Sequence, residues 1–284
     1  MNDTVKTNYA CPDLGAKIRQ GLEKADKNPE QISLRDLAPV DQLHTGGAPA
    51  TLELVEHAGL EKGMTILDAG CGIGGTSRLL AQNFGLVVHG IDLSQDFIET
   101  ARVLNQWCGL VKDGTINFKQ GSLLTMPYPD LFFDAVLCQH VLLNIKDKPK
   151  AFAEFSRVLA PRGKLILHEI VDGPGPDPLY PVPWAGNASA SMLCSRQDLG
   201  EYAKTAGFEL VLSADKTKEA ALWWEKVNAI KKTRGTGPLN PGLVFGENAG
   251  HFGANMERNF KEQALLCVED IWIKSNFCNK RSKP

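Results

Sequence analysis

From residue 64 onward, short apolar runs alternate with stretches of helical spacing, which predicts a parallel sheet covered by helices on both faces. The runs are Met64 to Ala69, Leu86 to Asp92, Ile116 to Gln120, Phe133 to Gln139 and Lys164 to Ile170, with further strands near Phe208 to Ser213 and Ala264 to Lys274. Between them, Thr76 to Phe84, Gln95 to Cys108 and Ala151 to Ala160 place their apolar side chains on one helical face. Ser94 stands at the N-cap of the second of these helices and Gly109 at its stop, while Pro161-Arg162-Gly163 turns the third into the next strand. Upstream, Leu14, Ile18 and Leu22, then Ile32, Leu34 and Leu37, predict one or two helices, and another starts near Pro49.

Two stretches break the alternation. The proline-rich run from Val171 to Pro183 fits neither a regular helix nor a central strand, and residues 215–262 insert two predicted helices around a Gly/Pro-rich loop. The expected organisation is an N-terminal helical lid (1–48), a core (49–274) with cap insertions at 172–194 and 215–262, and a polar tail (275–284).

Composition narrows the classes of function. A chain of 284 residues with 43% hydrophobic and 23% charged content is expected to fold as a soluble globular protein. A net charge of −2 gives no general attraction to polyanions, so no nucleic-acid partner is expected. No apolar stretch approaches the ~18 residues that span a bilayer, and Met1 to Ala10 lacks the apolar core of a signal peptide. The expectations are no membrane partner and a cytoplasmic location. The seven cysteines show no CxxC spacing, which predicts neither a disulfide framework nor a metal ion.

The sharpest local signal is Ile66-Leu67-Asp68-Ala69-Gly70-Cys71-Gly72-Ile73-Gly74-Gly75, a buried strand running into a glycine-rich turn at a helix start. Gly70, Gly72 and Gly75 satisfy G-x-G-x-x-G, and Asp92 ends the second strand 20 residues beyond Gly72, where a carboxylate accepts hydrogen bonds from ribose hydroxyls. The competing reading is a tight turn that uses glycine only for its dihedral freedom. Asp68, two positions before the first glycine, would repel a pyrophosphate but suits a cofactor with a cationic amino group.

At this point the sequence resembles the class I S-adenosylmethionine-dependent methyltransferases. Gly90-Ile91-Asp92-Leu93-Ser94, Phe133-Asp134-Ala135-Val136 and Arg157 to Lys164 match that family in order and spacing. The layout is similar to its small-molecule branch, particularly the sarcosine/dimethylglycine methyltransferases. The resemblance implies an α/β Rossmann-like fold, with a seven-stranded, mostly parallel sheet and an antiparallel last strand. It implies S-adenosyl-L-methionine as cofactor, with Gly70, Gly72 and Gly74 under the methionine part, Asp92 on the ribose and Leu93 beside the adenine. Ser122, next to Leu123, stands where many members carry an acid for the adenine amino group, and Gln139 and His140 fall near the sulfonium.

His140, at the strand edge where open α/β sheets bind ligands, is the candidate for touching the acceptor; its competing role is packing beneath the cofactor. His168 and Glu169 face opposite ways by strand alternation, so only one is expected to reach the site. His44, in the polar segment from Asp41 to Gly47, is expected to close over the cofactor. Trp184, Trp223 and Trp224 lie in the two excursions expected to roof the site, where an aromatic face holds a cationic amine or a planar ring; the alternatives are roof packing or a homodimer interface. The expected activity is methyl transfer to a small molecule. Its rivals are a non-catalytic methyltransferase-like scaffold and a nicotinamide-dependent oxidoreductase.

Overall fold

The structure, a computed structural model, describes residues 11–110 and 114–275, so Met1 to Ala10 and nearly all of the expected polar tail lie outside the described residues. Three helices come first: α1 (Leu14–Lys24), α2 (Leu34–Asp41) and α3 (Gly47–Ala58). The core then alternates as β1 (Thr65–Ala69), α4 (Gly75–Phe84), β2 (Val87–Asp92), α5 (Gln95–Trp107), β3 (Ile116–Gln120), β4 (Phe133–Gln139), α6 (Lys148–Val158) and β5 (Leu159–Asp172). After it come α7 (Arg196–Thr205), β6 (Phe208–Asp215), α8 (Thr217–Arg234), the single turn α9 (Gly242–Phe245), α10 (Ala249–Lys261) and β7 (Leu265–Lys274).

The strands form one seven-stranded sheet in the order β3-β2-β1-β4-β5-β7-β6. β1 to β5 run parallel, and β7 lies antiparallel to both β5 and β6, as expected for the last strand. The period-2 reading separates the two faces. Ile66, Ala135, Leu137 and Ile166 face α3 and α4, while Leu67, Val136, Cys138 and Leu165 face α6 and α7. Because both faces are covered, the strands are apolar runs rather than alternating ones. One boundary differs from the expectation. Pro161-Arg162-Gly163 does not end the third helix in a turn before the strand but sits as an irregularity within β5, which already pairs Leu159 with Phe133 and resumes regular register at Lys164 opposite Ala135.

The N-terminal segment is bound tightly to the core. Leu14, Ile18 and Leu22 of α1 pack with Leu37 and Val40 of α2, Phe97 and Leu104 of α5 and Val244 of α9. Asp41 Oδ2, at the end of α2, accepts a 2.9 Å charge-assisted bond from Arg78 of α4, with the two side chains 2% and 0% exposed. Arg78 also donates to the Ile73 carbonyl at 2.8 Å, so one guanidinium fastens both α2 and the glycine loop. Gly75 is required by the same contact, because a Cβ there would lie 2.3 Å from the Asp41 carbonyl oxygen.

Removing one partner of such a pair leaves a buried charge uncompensated. Asp41→Ala is expected to lower unfolding free energy by about 3 to 5 kcal/mol in a urea titration, and adding Arg78→Met to it should recover part of that loss.

Candidate functional site

The strand order reverses between β1 and β4, so the crossovers leaving their carboxyl ends part to opposite sides and leave a crevice. A cavity of about 790 Å³ occupies it, a size that holds a nucleoside-bearing cofactor and a second small molecule.

One half of the cavity is the glycine loop. Gly70 takes φ +81, and a Cβ there would meet Val141 at 2.4 Å. The amides of Gly70 and Cys71 both donate to the Ile91 carbonyl, at 2.8 and 3.0 Å, which latches the loop to the end of β2. Gly72 N–H donates to Asp92 Oδ2 at 3.0 Å and Ser94 N–H to Oδ1 at 2.9 Å, so the carboxylate is held from both sides with lone pairs remaining. The Cβ direction of Gly72 is open, with nothing within 4 Å. Asp68 also lines the cavity; it accepts a 2.5 Å bond from the Ser77 hydroxyl, and burial pushes its carboxyl up to about 6. Leu93, Ser122 and Leu123 are on the wall as well. The Ser122 hydroxyl oxygen accepts from Leu124 N–H at 3.2 Å and so shapes the turn after β3.

Gly74 departs from its expected place. It does not line the cavity: it caps α4 at φ +82, and its Cβ direction points at Phe118, 2.5 Å away, and at Arg78. Its glycine is needed for packing behind the loop.

At the other half stand Gln139, His140 and His44. Gln139 is fixed by the hydroxyls of Thr51 (α3) and Thr76 (α4), at 3.3 and 3.2 Å from its Oε1. Thr51 also pairs with His44 Nε2 at 2.8 Å, tying the polar segment Asp41 to Gly47 to β4. Thr51 and Thr76 carried no signal in the sequence, since their partners lie in distant segments. His140 adopts φ +54, with its amide donating to the His168 carbonyl at 2.8 Å. Its Nε2 is buried with no hydrogen-bond partner among the described residues.

His168 does not line the cavity, although either it or Glu169 is expected to reach the site. It sits behind Gln139, with Nδ1 3.3 Å from the Gln139 amide and Nε2 3.3 Å from Cys267 Sγ. Glu169 does not line it either. Its Oε1 accepts the amides of Val141 and Leu142, at 3.0 and 3.1 Å, and so holds the turn that carries His140. Strand alternation separated these two side chains correctly, but both end in second-layer positions. Burial pushes Glu169 up to about 7.

Trp184 lines the cavity with its indole N–H satisfied by Ser191 Oγ at 2.8 Å. Trp223, expected in the roof of the site, does not line the cavity. Neighbouring residues on a helix point about 100° apart, and on α8 it is Trp224 that turns inward, donating to Thr45 Oγ1 at 3.2 Å, with Trp223 edge-on against it. Leu43, Val141, Leu143, Ile145, Pro183 and Phe245 give the lining apolar surface, with Asn144, Asp147 and Tyr202 among them as polar groups. Lys146 is the one lysine or arginine among the lining residues.

A family model described as a methyltransferase domain matches residues 67–167, from β1 to β5. Over these residues the chain is similar to methyltransferase domains. Phosphoethanolamine N-methyltransferase 1 of Zea mays is 34% identical over 175 residues, 62% of this chain, and the chain spans about a third of the length of that relative. Among solved structures, a putative sarcosine dimethylglycine methyltransferase from Galdieria sulphuraria superposes with TM-score 0.66 at 21% identity, covering 81% of this chain and 85% of that one. Haemonchus contortus phosphoethanolamine N-methyltransferase 2, in complex with S-adenosyl-L-methionine, gives TM-score 0.69 at 21% identity, over 90% of this chain and 60% of that one. The matched residues include the glycine loop and Asp92.

Burial sets the charge state of His44, His140 and His168. His44 is pushed down to about 4 and His168 to about 3, in both cases chiefly by removal from water, and His140 falls well below the usual range for the same reason. All are neutral at pH 7. For a histidine depressed on folding, the unfolded chain takes up the proton first, so stability is lost as pH falls from about 6.5 toward the folded value. Buried Asp68, Glu169 and Glu269 act in the opposite sense, losing stability as pH rises from the ordinary carboxyl range to their values of about 6, 7 and 7. His168→Gln isolates the histidine term: in chemical denaturation, the stability gap between wild type and variant should change in the variant's favour as pH falls from 6.5 to 4, and a gap independent of pH would refute the neutral, buried imidazole.

Proposed function

We propose that the chain catalyses S-adenosylmethionine-dependent methyl transfer to a small, largely apolar acceptor that carries no phosphate. The observation behind this reading is a single cavity with the glycine loop and Asp92 at one end and His140, Leu143, Ile145 and Trp184 at the other. A phosphorylated acceptor calls for a cluster of arginines or lysines, and Lys146 alone is not one. This departs from the phosphoethanolamine substrates named for the plant relatives.

The residues fit the donor. Gly72 lines the cavity at φ +53 with nothing within 4 Å of its Cβ direction, which leaves room beside the loop for the methionine part. Asp92 keeps free acceptor capacity for ribose hydroxyls, and Asp68, protonated or ionised near neutral pH, ionises opposite a cationic amino group. S-Adenosylmethionine supplies an electrophilic methyl carbon on a sulfonium. The protein orients the acceptor in line with that carbon and excludes water. His140, neutral and with an unpartnered Nε2, takes the proton released by an acceptor O–H or N–H as the new bond to the methyl carbon forms. Free cysteines, near-balanced charge and the lack, among the described residues, of any helix long and apolar enough to cross a membrane support a cytoplasmic enzyme without a nucleic-acid partner. Homodimerisation belongs to the same proposal.

Calorimetric titration with S-adenosylmethionine, S-adenosylhomocysteine and NADH should give micromolar binding of the first two and none of the third; binding of NADH alone overturns the proposal. Asp92→Ala should weaken S-adenosylmethionine by about 1.5 to 3 kcal/mol through loss of charge-assisted bonds. In an acceptor screen, hydroxylated or phenolic apolar compounds should turn over and phosphoethanolamine should not. His140→Gln should cut turnover about a hundredfold with cofactor affinity kept, whereas parallel loss of binding would make His140 a packing residue.

A further inference from the structure

Behind the cavity wall, three donor groups from three adjacent strands converge. His140 follows β4, His168 lies in β5 and Cys267 in β7, and one ligating atom of each lies within 4.8 Å of the other two. Methyl transfer uses neither His168 nor Cys267, and His140 Nε2 serves one role at a time: proton acceptor in the metal-free chain, ligand when the ion is bound. We propose that His140, His168 and Cys267 form a binding site for a zinc-class divalent cation at the inner end of the cavity.

Separation is the first argument. Metal bonds of about 2.0 to 2.3 Å in a tetrahedron put neighbouring donors roughly 3.3 to 3.6 Å apart. His168 Nε2 and Cys267 Sγ already stand 3.3 Å from each other. His140 has a ring nitrogen within 4.8 Å of both, and its Nε2 is buried with no hydrogen-bond partner among the described residues, so a side-chain adjustment brings it in. Its backbone is committed to this position, at φ +54 and bonded through its amide to the His168 carbonyl.

Support around the donors is the second argument. A metal-bound imidazole donates its other N–H to a fixed acceptor. His168 Nδ1 lies 3.3 Å from the Gln139 side-chain amide, which the Thr51 and Thr76 hydroxyls anchor. Turning that amide over presents its oxygen to Nδ1–H. Cys267 is held through its own amide, which donates to Thr217 Oγ1 at 3.1 Å.

Two imidazoles and a thiolate favour zinc over magnesium or calcium, which take oxygen donors. Binding releases the Cys267 thiol proton to solvent and leaves both imidazoles neutral. Three protein ligands leave a fourth position, on the side of His140, the one ligand that lines the cavity. The absence of CxxC spacing hid this site, because its ligands are gathered by strand register and not by a local motif.

The test is cobalt substitution of the chelator-stripped full chain, read by absorption and independent of methyl transfer. One equivalent of Co2+ should produce a thiolate-to-cobalt charge-transfer band with the intense visible bands of a tetrahedral ion, and Zn2+ should remove both. Cys267→Ser, shown folded by circular dichroism, should lose the charge-transfer band, and Cys108→Ser should keep it. His140→Gln and His168→Gln should each weaken Co2+ by at least about tenfold. Zn2+ should raise the melting temperature of the wild type and leave that of Cys267→Ser unchanged. If Cys267→Ser does not fold, the wild-type spectrum and His140→Gln decide alone. A wild type without the charge-transfer band, or a band that survives Cys267→Ser and disappears in Cys71→Ser, overturns the site. S-Adenosylmethionine affinity, measured on the same samples, tests the methyltransferase reading separately.

Discussion

The hydrogen bond from the Gly72 amide to the Asp92 carboxylate is the tie on which the site depends. It joins the loop after β1 to the end of β2, alongside the two bonds that Gly70 and Cys71 send to the Ile91 carbonyl. A loop between a buried strand and a helix ordinarily leaves several amides to find their own partners. Here the neighbouring strand end takes them up, so the loop is rigid before any ligand arrives. Preorganisation of this kind lowers the ordering cost of binding. It also explains the division of labour among the glycines. Gly70 and Gly74 are glycine because Val141 and Phe118 stand where a Cβ would go, and Gly72 is glycine on the open side of the loop.

That division was not legible in the sequence, although the loop was. Strand and helix positions followed from apolar runs and their spacing, because a parallel sheet buried on both faces needs apolar residues on both. G-x-G-x-x-G and an acid 20 residues on gave the loop and its carboxylate. What escaped depends on contacts between distant segments: Phe118 behind Gly74, Thr51 beneath Gln139, Cys267 beside His168. Alternation along β5 parted His168 from Glu169 but did not show how deep either would lie, since depth is set by what covers the strand end. The same limit applies to the adjacent tryptophans of α8, where helical geometry says that one must turn inward and only Thr45 determines which.

The N-terminal helices close the cavity by a fixed wall. Asp41 and Arg78 are fully buried, and opening this wall would expose both charges together with the α1, α2 and α5 packing. Buried ion pairs hold geometry more than they add net stability. Arg78 also supports the glycine loop through the Ile73 carbonyl, so the wall and that loop share one anchor. Ile145, Pro183 and Phe245 line the cavity from the α6 side and the two excursions.

Removal from water does the remaining chemical work. Burial of His44, His140 and His168 costs them their charge, since none faces a carboxylate that would hold the imidazolium. A neutral imidazole with an open nitrogen accepts a proton, and it is equally the form that binds a metal ion. Both capacities come from one structural decision, which is to end β4 in a left-handed residue, His140, that turns its ring back toward β5. Glu169 makes that turn possible by accepting the two amides the strand end leaves unpaired. Its raised carboxyl value is a consequence of the same burial. The residue that shapes this edge of the sheet is therefore one that does not line the cavity.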